Sequence, residues 1–285
     1  MAVIDFFLDA FSSQITQRAL LGGLLAATVT ALVGVWVVLR GLAFFGDAMT
    51  HGVLPGIALA AVWGFDLTLG ATVSAIVMVG GINLVRRSTR LSDDTAIGVL
   101  FVGMLALGVV IISHEPTYTG DLTSFLFGDV LGIRQEDLVL GAVVLLVVIV
   151  VVAAGHRSFL ALAVNRDKAA LLGLRPGLAN AALLVLLALA VVSTFQVVGT
   201  LLVFGLLIAP PATAVLIVRR IPAAMVLAVL LGWTSVVLGL AISYHANLAA
   251  SATVAGVAVA QLFLVMAAVE LVEVARRRST AHTHR

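Results

Sequence analysis

Two ionisable side chains lie deep in an apolar stretch of this chain, and they lie four residues apart. Asp47 and His51 belong to the segment GDAMTHGVLPG, residues 46–56. In a helix that spacing puts both on one face, about one turn from each other. A charge at the middle of a bilayer costs about 3 kcal/mol or more, so such residues are retained for function by default. A carboxylate and an imidazole suit first-row divalent metals such as Mn²⁺, Fe²⁺ and Zn²⁺. Other readings of the same pair are a buried hydrogen bond that only ties helices together and a proton relay, since histidine titrates near neutrality. Two ligands do not complete a metal site, and Zn²⁺ ordinarily takes four. No other Asp, Glu or His falls deep in an apolar run. Counting therefore points to a second copy, with two Asp and two His meeting around a two-fold axis.

The elements that must position this pair follow from composition. Apolar types make up 62% of the 285 residues and charged types only 11%, against about 25% charged in an ordinary soluble domain. Mean hydropathy is +1.22. These values exclude a soluble enzyme, a disordered chain and a fibrous repeat. They predict an all-α polytopic membrane protein. A spanning helix takes about 20 apolar residues, and nine such runs are present: 20–39, 42–64, 67–85, 95–113, 138–154, 179–195, 197–218, 223–243 and 248–269. The sixth and seventh are divided only by Ser193, Thr194, Gln196 and Gly199, which leaves an eight-span reading with one broken helix open.

Taken alternately, one set of connections carries all the basic residues except Arg18 and Arg134, fourteen of sixteen. That asymmetry puts the N-terminus outside and the C-terminus in the cytoplasm. It also shows that the basic residues punctuate apolar runs, so a pI of about 9.7 carries no reading of nucleic-acid binding. Residues 1–17 have no basic start and contain Asp5 and Asp9, unlike a signal peptide. Ile4, Leu8, Phe11 and Ile15 line one helical face, which predicts a short helix in the outer interface. The whole of 1–285 reads as a single transmembrane domain, and 276–285 as a polar, mobile cytoplasmic tail.

His51 lies roughly 16 Å along its helix from Arg40, near mid-membrane. Pro55 and Gly46, Gly52 and Gly56 surround the pair. The proline loosens the preceding turn, and the glycines admit close neighbours. His114 with Glu115, and His245, fall at outer edges, where solvated polar residues are the ordinary case. His156 falls at a cytoplasmic boundary, and His282 and His284 in the tail.

There is no cysteine, which excludes disulfides, thiolate metal sites and Cys nucleophiles. The single lysine, Lys168, follows Asp167 rather than glycine, so the phosphate-binding Gly-Lys-Ser/Thr loop is absent. His114-Glu115 is followed by Pro116 and no second histidine, and no Gly-x-Ser-x-Gly elbow exists. Nothing marks an enzyme. The longest cytoplasmic connection, 155–178, has a centre at 162–174 that reads as a short helix. Asn165 is its candidate cap, Ala169, Ala170, Leu171 and Leu172 favour helix, and Gly173 ends it. Arg166, Asp167 and Lys168 stand near its start. Spacing alone leaves a docking helix and a plain loop equally open.

Four ordered segments resemble the membrane permeases of bacterial metal-uptake ABC transporters. They are RGLAFFGDAMTHGVLPGIALA at 40–60, DDTAIGVLFVGMLALGVVIIS at 93–113, DLTSFLFGDVLGI at 121–133 and VVGTLLVFGLLIAPPATAVLI at 197–217. The resemblance covers nearly the whole chain. It implies import of manganese, zinc or iron as substrate, with no bound cofactor. It further implies a second permease copy, a dimer of cytoplasmic ATPase subunits that hydrolyse the ATP, and an extracytoplasmic metal-binding protein, all at the bacterial inner membrane. The family's intramembrane Asp and His fall on Asp47 and His51. Its ATPase-coupling helix falls on Asn165, Arg166, Asp167, Lys168, Leu171 and Leu172. The chain departs from the family at the last outer turn, where an acidic residue is frequent and His245 and Asn247 stand here. The reading that follows is a permease working by alternating access. The alternatives are an ion-coupled secondary carrier using the same pair and a non-transporting membrane scaffold.

Overall fold

A computed structural model describes residues 9–88, 93–113, 133–164, 171 and 174–282. Among these the chain forms nine helices and no strand: α1 Gln14–Leu39, α2 Ala43–Gly52, α3 Leu54–Trp63, α4 Leu67–Ser88, α5 Asp93–Ser113, α6 Gln135–Val164, α7 Pro176–Ile217, α8 Ile221–Ala246 and α9 Ala250–His282. Eight segments are long and apolar enough to cross a membrane, with α2 and α3 together making one of them; Leu202–Ile217 is a ninth, shorter apolar helix.

The division inside α7 explains that ninth piece. A straight 42-residue helix would be about 63 Å long, twice the roughly 30 Å of a bilayer core. Gly199, at φ 75° and ψ 164°, breaks it. The neighbours on α1 give the direction of each half. Asn180 binds Arg40 at the end of α1, whereas Ser193 and Thr194 lie beside Gly22 and Ala26 near its start. Leu207 and Pro211 are back against Gly34, toward the end of α1 again. The first half of α7 therefore runs antiparallel to α1 and the second half returns parallel to it. The sixth and seventh apolar runs are thus two passes in opposite directions, and the returning one is short.

α7 is the centre of the bundle and packs against α1, α2, α4, α6, α8 and α9. In lipid there is no hydrophobic drive between helices, so small residues that permit close van der Waals contact decide the packing. At Gly34 a Cβ would meet the Leu207 carbonyl oxygen at 2.1 Å, so α1 and α7 touch backbone to backbone. Across mid-membrane, Gln261 of α9 donates to Thr234 (3.0 Å) and accepts from Ser235 (3.2 Å) on α8. Trp233 donates to Thr28 of α1 at 2.9 Å. By contrast α5, α6 and α9 leave most of their apolar surface outside the bundle, with Val102, Leu146 and Leu264 among the exposed side chains.

Three boundaries differ from the sequence expectation. Ser13 caps α1, its hydroxyl accepting from the Thr16 amide at 3.1 Å. Ile15 accordingly belongs to the first span, while Ile4 and Leu8 of the expected interfacial helix lie outside the described residues. α6 is helical at least to Val164, ten residues past its apolar run, so Leu162–Val164 belong to the spanning helix. α9 is helical to His282, through most of the expected polar tail. A helix start leaves four amides without intrahelical partners, and in α1 the Ser13 hydroxyl takes one of them.

Candidate metal site

Asp47 and His51 stand on α2, which is half of a broken span. Val53 is the joint between α2 and α3. Pro55 brings no amide to the carbonyl of His51, and the Val53 amide turns to that carbonyl instead. The carbonyl of Gly52 accepts a hydrogen bond from the Ser74 hydroxyl of α4 at 2.8 Å. Ser74 is buried, so it ties the broken end of α2 to a neighbouring helix one residue from His51. Close behind, Gly56 of α3 and Gly70 of α4 meet backbone to backbone: a Cβ on either would lie 1.9 or 2.3 Å from the other's carbonyl oxygen.

The His51 Nε2 and Asp47 Oδ1 are 3.7 Å apart. That is too long for a hydrogen bond. It is close to the roughly 3.4 Å that separates two ligand atoms on a tetrahedral ion with bonds of about 2.1 Å. The Phe101 ring of α5 lies edge-on to the imidazole, centroids 5.7 Å apart, and Phe44 packs on Phe101 at 6.3 Å. Thr50 donates to the Asp47 carbonyl at 2.7 Å, within α2 itself. The side chains of His51 and Asp47 remain 28% and 33% exposed. Each is mostly buried but keeps an open edge. Among the described residues no group of three His, Cys, Asp or Glu is assembled. One chain supplies two ligands and an open face.

The other candidates lie apart from this pair. His245 is exposed at the end of α8, its ring 5.2 Å from that of Tyr244, and Asn247 ends the helix in the left-handed conformation. His156 packs edge-on against the buried Trp36, centroids 5.5 Å apart. His114 and Glu115 lie outside the described residues, as do Asn165, Arg166, Asp167, Lys168 and Leu172 of the expected docking helix. Leu171 is described and is 87% exposed. Sequence reading missed Ser74 and Phe101. The only signal for Ser74 was its place four residues after Gly70, a small-residue spacing of closely packed membrane helices.

The architecture is that of a polytopic helical membrane protein, with a carboxylate–imidazole pair on one interrupted span. The chain belongs to the ABC 3 transport family, which it matches over residues 12–270. It is a multi-pass inner-membrane protein of that family, a metal-uptake permease. It is 36% identical over 248 residues to the manganese transport system membrane protein MntC of Listeria monocytogenes, covering 87% of this chain and 88% of that one. It is 35% identical over 243 residues to a probable iron transport system membrane protein of Haemophilus influenzae, covering 85% and 89% respectively. Its fold is similar to a chain of PsaBC from Streptococcus pneumoniae, solved in complex with Fab, with a TM-score of 0.82 and 30% identity over 92% of this chain and 95% of that one.

Proposed function

We propose that this chain imports a divalent transition metal, manganese, zinc or iron, with Asp47 and His51 from two copies holding the ion in transit. The observation that carries the reading is a partly exposed pair at a bite suited to one ion, with no third ligand beside it among the described residues. Its relatives are named for manganese and for iron. Ligand type does not select among the metals, because Zn²⁺ binds almost any N/O site more tightly than Mn²⁺. An extracytoplasmic binding protein delivers the ion to the outer face. A dimer of cytoplasmic ATPases docks on the connection between α6 and α7, on Asn165, Arg166, Asp167, Lys168, Leu171 and Leu172. ATP binding there alternates access to the pair.

Asp47→Ala and His51→Ala are expected to abolish metal accumulation while the protein still inserts and pairs. Both side chains keep an exposed edge, so each change leaves only a partial cavity, His51→Ala beside Phe101. Radiometal uptake in cells lacking other importers reads the effect. Near-normal accumulation by the double variant would refute the site.

A further inference from the structure

The last turn of α1 is gripped from two sides. Trp36, fully buried, packs edge-on against His156 and Phe159 of α6, both with centroids 5.5 Å away. Its indole N–H has no acceptor, so ring packing alone makes this hold. One turn on, the Arg40 guanidinium donates to the Asn180 side-chain oxygen of α7 at 2.8 Å, a charge-assisted bond of the stronger kind. α6 ends at Val164 and α7 begins at Pro176. Phe159 is roughly 8 Å of helix from the first end, and Asn180 about 6 Å from the second. The two grips therefore hold the two feet of the α6–α7 connection.

The same turn leads directly to the metal pair. The Gly41 amide donates to Val38 (3.1 Å) and the Leu42 amide to Val37 (2.9 Å), with Gly41 in the left-handed region at φ 65°. This is the doubly bonded Schellman corner, and it leaves no slack between α1 and α2. α2 starts at once, with the Gly46 amide bonded to the Leu42 carbonyl at 3.0 Å. Asp47 follows Arg40 by seven residues. α2 also touches the returning half of α7 at Gly46 and Leu207, but the Gly199 break separates that half from the foot at Asn180. The continuous, hydrogen-bonded route from the feet to the pair runs through α1.

We infer that Trp36 and Arg40 are positioning residues that pass movement of the α6–α7 connection, through the rigid α1–α2 corner, to the helix carrying Asp47 and His51. The inference rests on the reading that an ATPase drives the chain from that connection. Proximity along a chain of contacts is not itself evidence of coupling, so the test must read coupling and not stability.

The permease, assembled with its ATPase in liposomes and supplied with its extracytoplasmic binding protein, is assayed for manganese transported per ATP hydrolysed. Asn180→Leu removes the α7 acceptor that Arg40 binds, and Asn180→Asp keeps one. Asn180→Leu is expected to assemble and hydrolyse ATP while the ratio falls about fivefold or more, the lower end of ordinary coupling free energies. Asn180→Asp should keep the wild-type ratio, and Arg40→Gln should fall with Asn180→Leu. A merely structural bond would lower the amount assembled and leave the ratio unchanged. A wild-type ratio in Asn180→Leu, or failure of both Asn180→Leu and Arg40→Gln to assemble, would overturn the joint. Wild-type vesicles without ATP-driven uptake would instead overturn the importer reading, and the joint with it.

Discussion

Gly56→Ala tests how closely the metal pair's span is held to its neighbour. The new Cβ would lie 1.9 Å from the Gly70 carbonyl oxygen, where ordinary contact begins at 3.4 Å. α3 and α4 must therefore part by about 1.5 Å, and a gap of even 0.5–1 Å forfeits a quarter to a half of each contact it opens. Overpacking of this kind costs about 1–3 kcal/mol. The separation also stretches the Ser74–Gly52 hydrogen bond, now 2.8 Å, beyond its useful range, which costs about 1 kcal/mol more. Against these stands a gain of up to about 1 kcal/mol from replacing glycine in a helix. The net expectation is a loss of about 1–3 kcal/mol. Gly80→Ala, on the same α4 helix with nothing within 4 Å of its Cβ, carries only the propensity term and should be neutral or slightly stabilising. Gly70→Ala should match Gly56→Ala. The double variant should cost less than the sum of the two, because one parting of the helices relieves both clashes. Unfolding by SDS titration in mixed micelles measures all four. The reasoning is refuted if Gly56→Ala lies within about 0.5 kcal/mol of Gly80→Ala, the ordinary spread of an inconsequential substitution.

Two further outcomes are expected. Ser74→Ala frees the broken end of α2 beside His51, so it should raise the metal concentration needed for half-maximal uptake several-fold more than it lowers the maximal rate; Ser74→Thr, which keeps the hydroxyl, should stay closer to wild type, and an unchanged metal dependence in Ser74→Ala would show that the bond does not position the pair. Leu171→Asp puts a charge where an apolar anchor is expected to dock, and breaking such a buried contact costs about 3 kcal/mol or more; the variant should insert normally, since Leu171 is exposed in the chain itself, yet lose the ATPase in a pull-down, and retention of the partner with full uptake would place docking elsewhere.

Membrane residence, the number of apolar runs and the Asp47–His51 pair were legible in the amino-acid sequence, because each rests on a local quantity. Hydropathy is a sum over one stretch of chain, and a spacing of four residues sets a shared helix face whatever surrounds it. The distribution of arginines was equally legible, since it needs only the order of runs and connections. Even the uncertainty between the sixth and seventh runs was marked correctly, at Gly199. Sequence did not reveal that the chain folds back there, because a glycine permits a left-handed turn without requiring one; the packing of Leu207 and Pro211 against Gly34 sets the direction. Nor did it reveal that the span of the metal pair breaks at Val53. A proline weakens a helix, but whether it kinks or parts depends on who takes the carbonyls at the joint: here the Val53 amide takes that of His51, and Ser74 of another helix takes that of Gly52. The grips of Trp36 on α6 and Arg40 on α7 are likewise tertiary. They join residues more than a hundred positions apart, and no periodicity along one helix specifies which face of another it will meet.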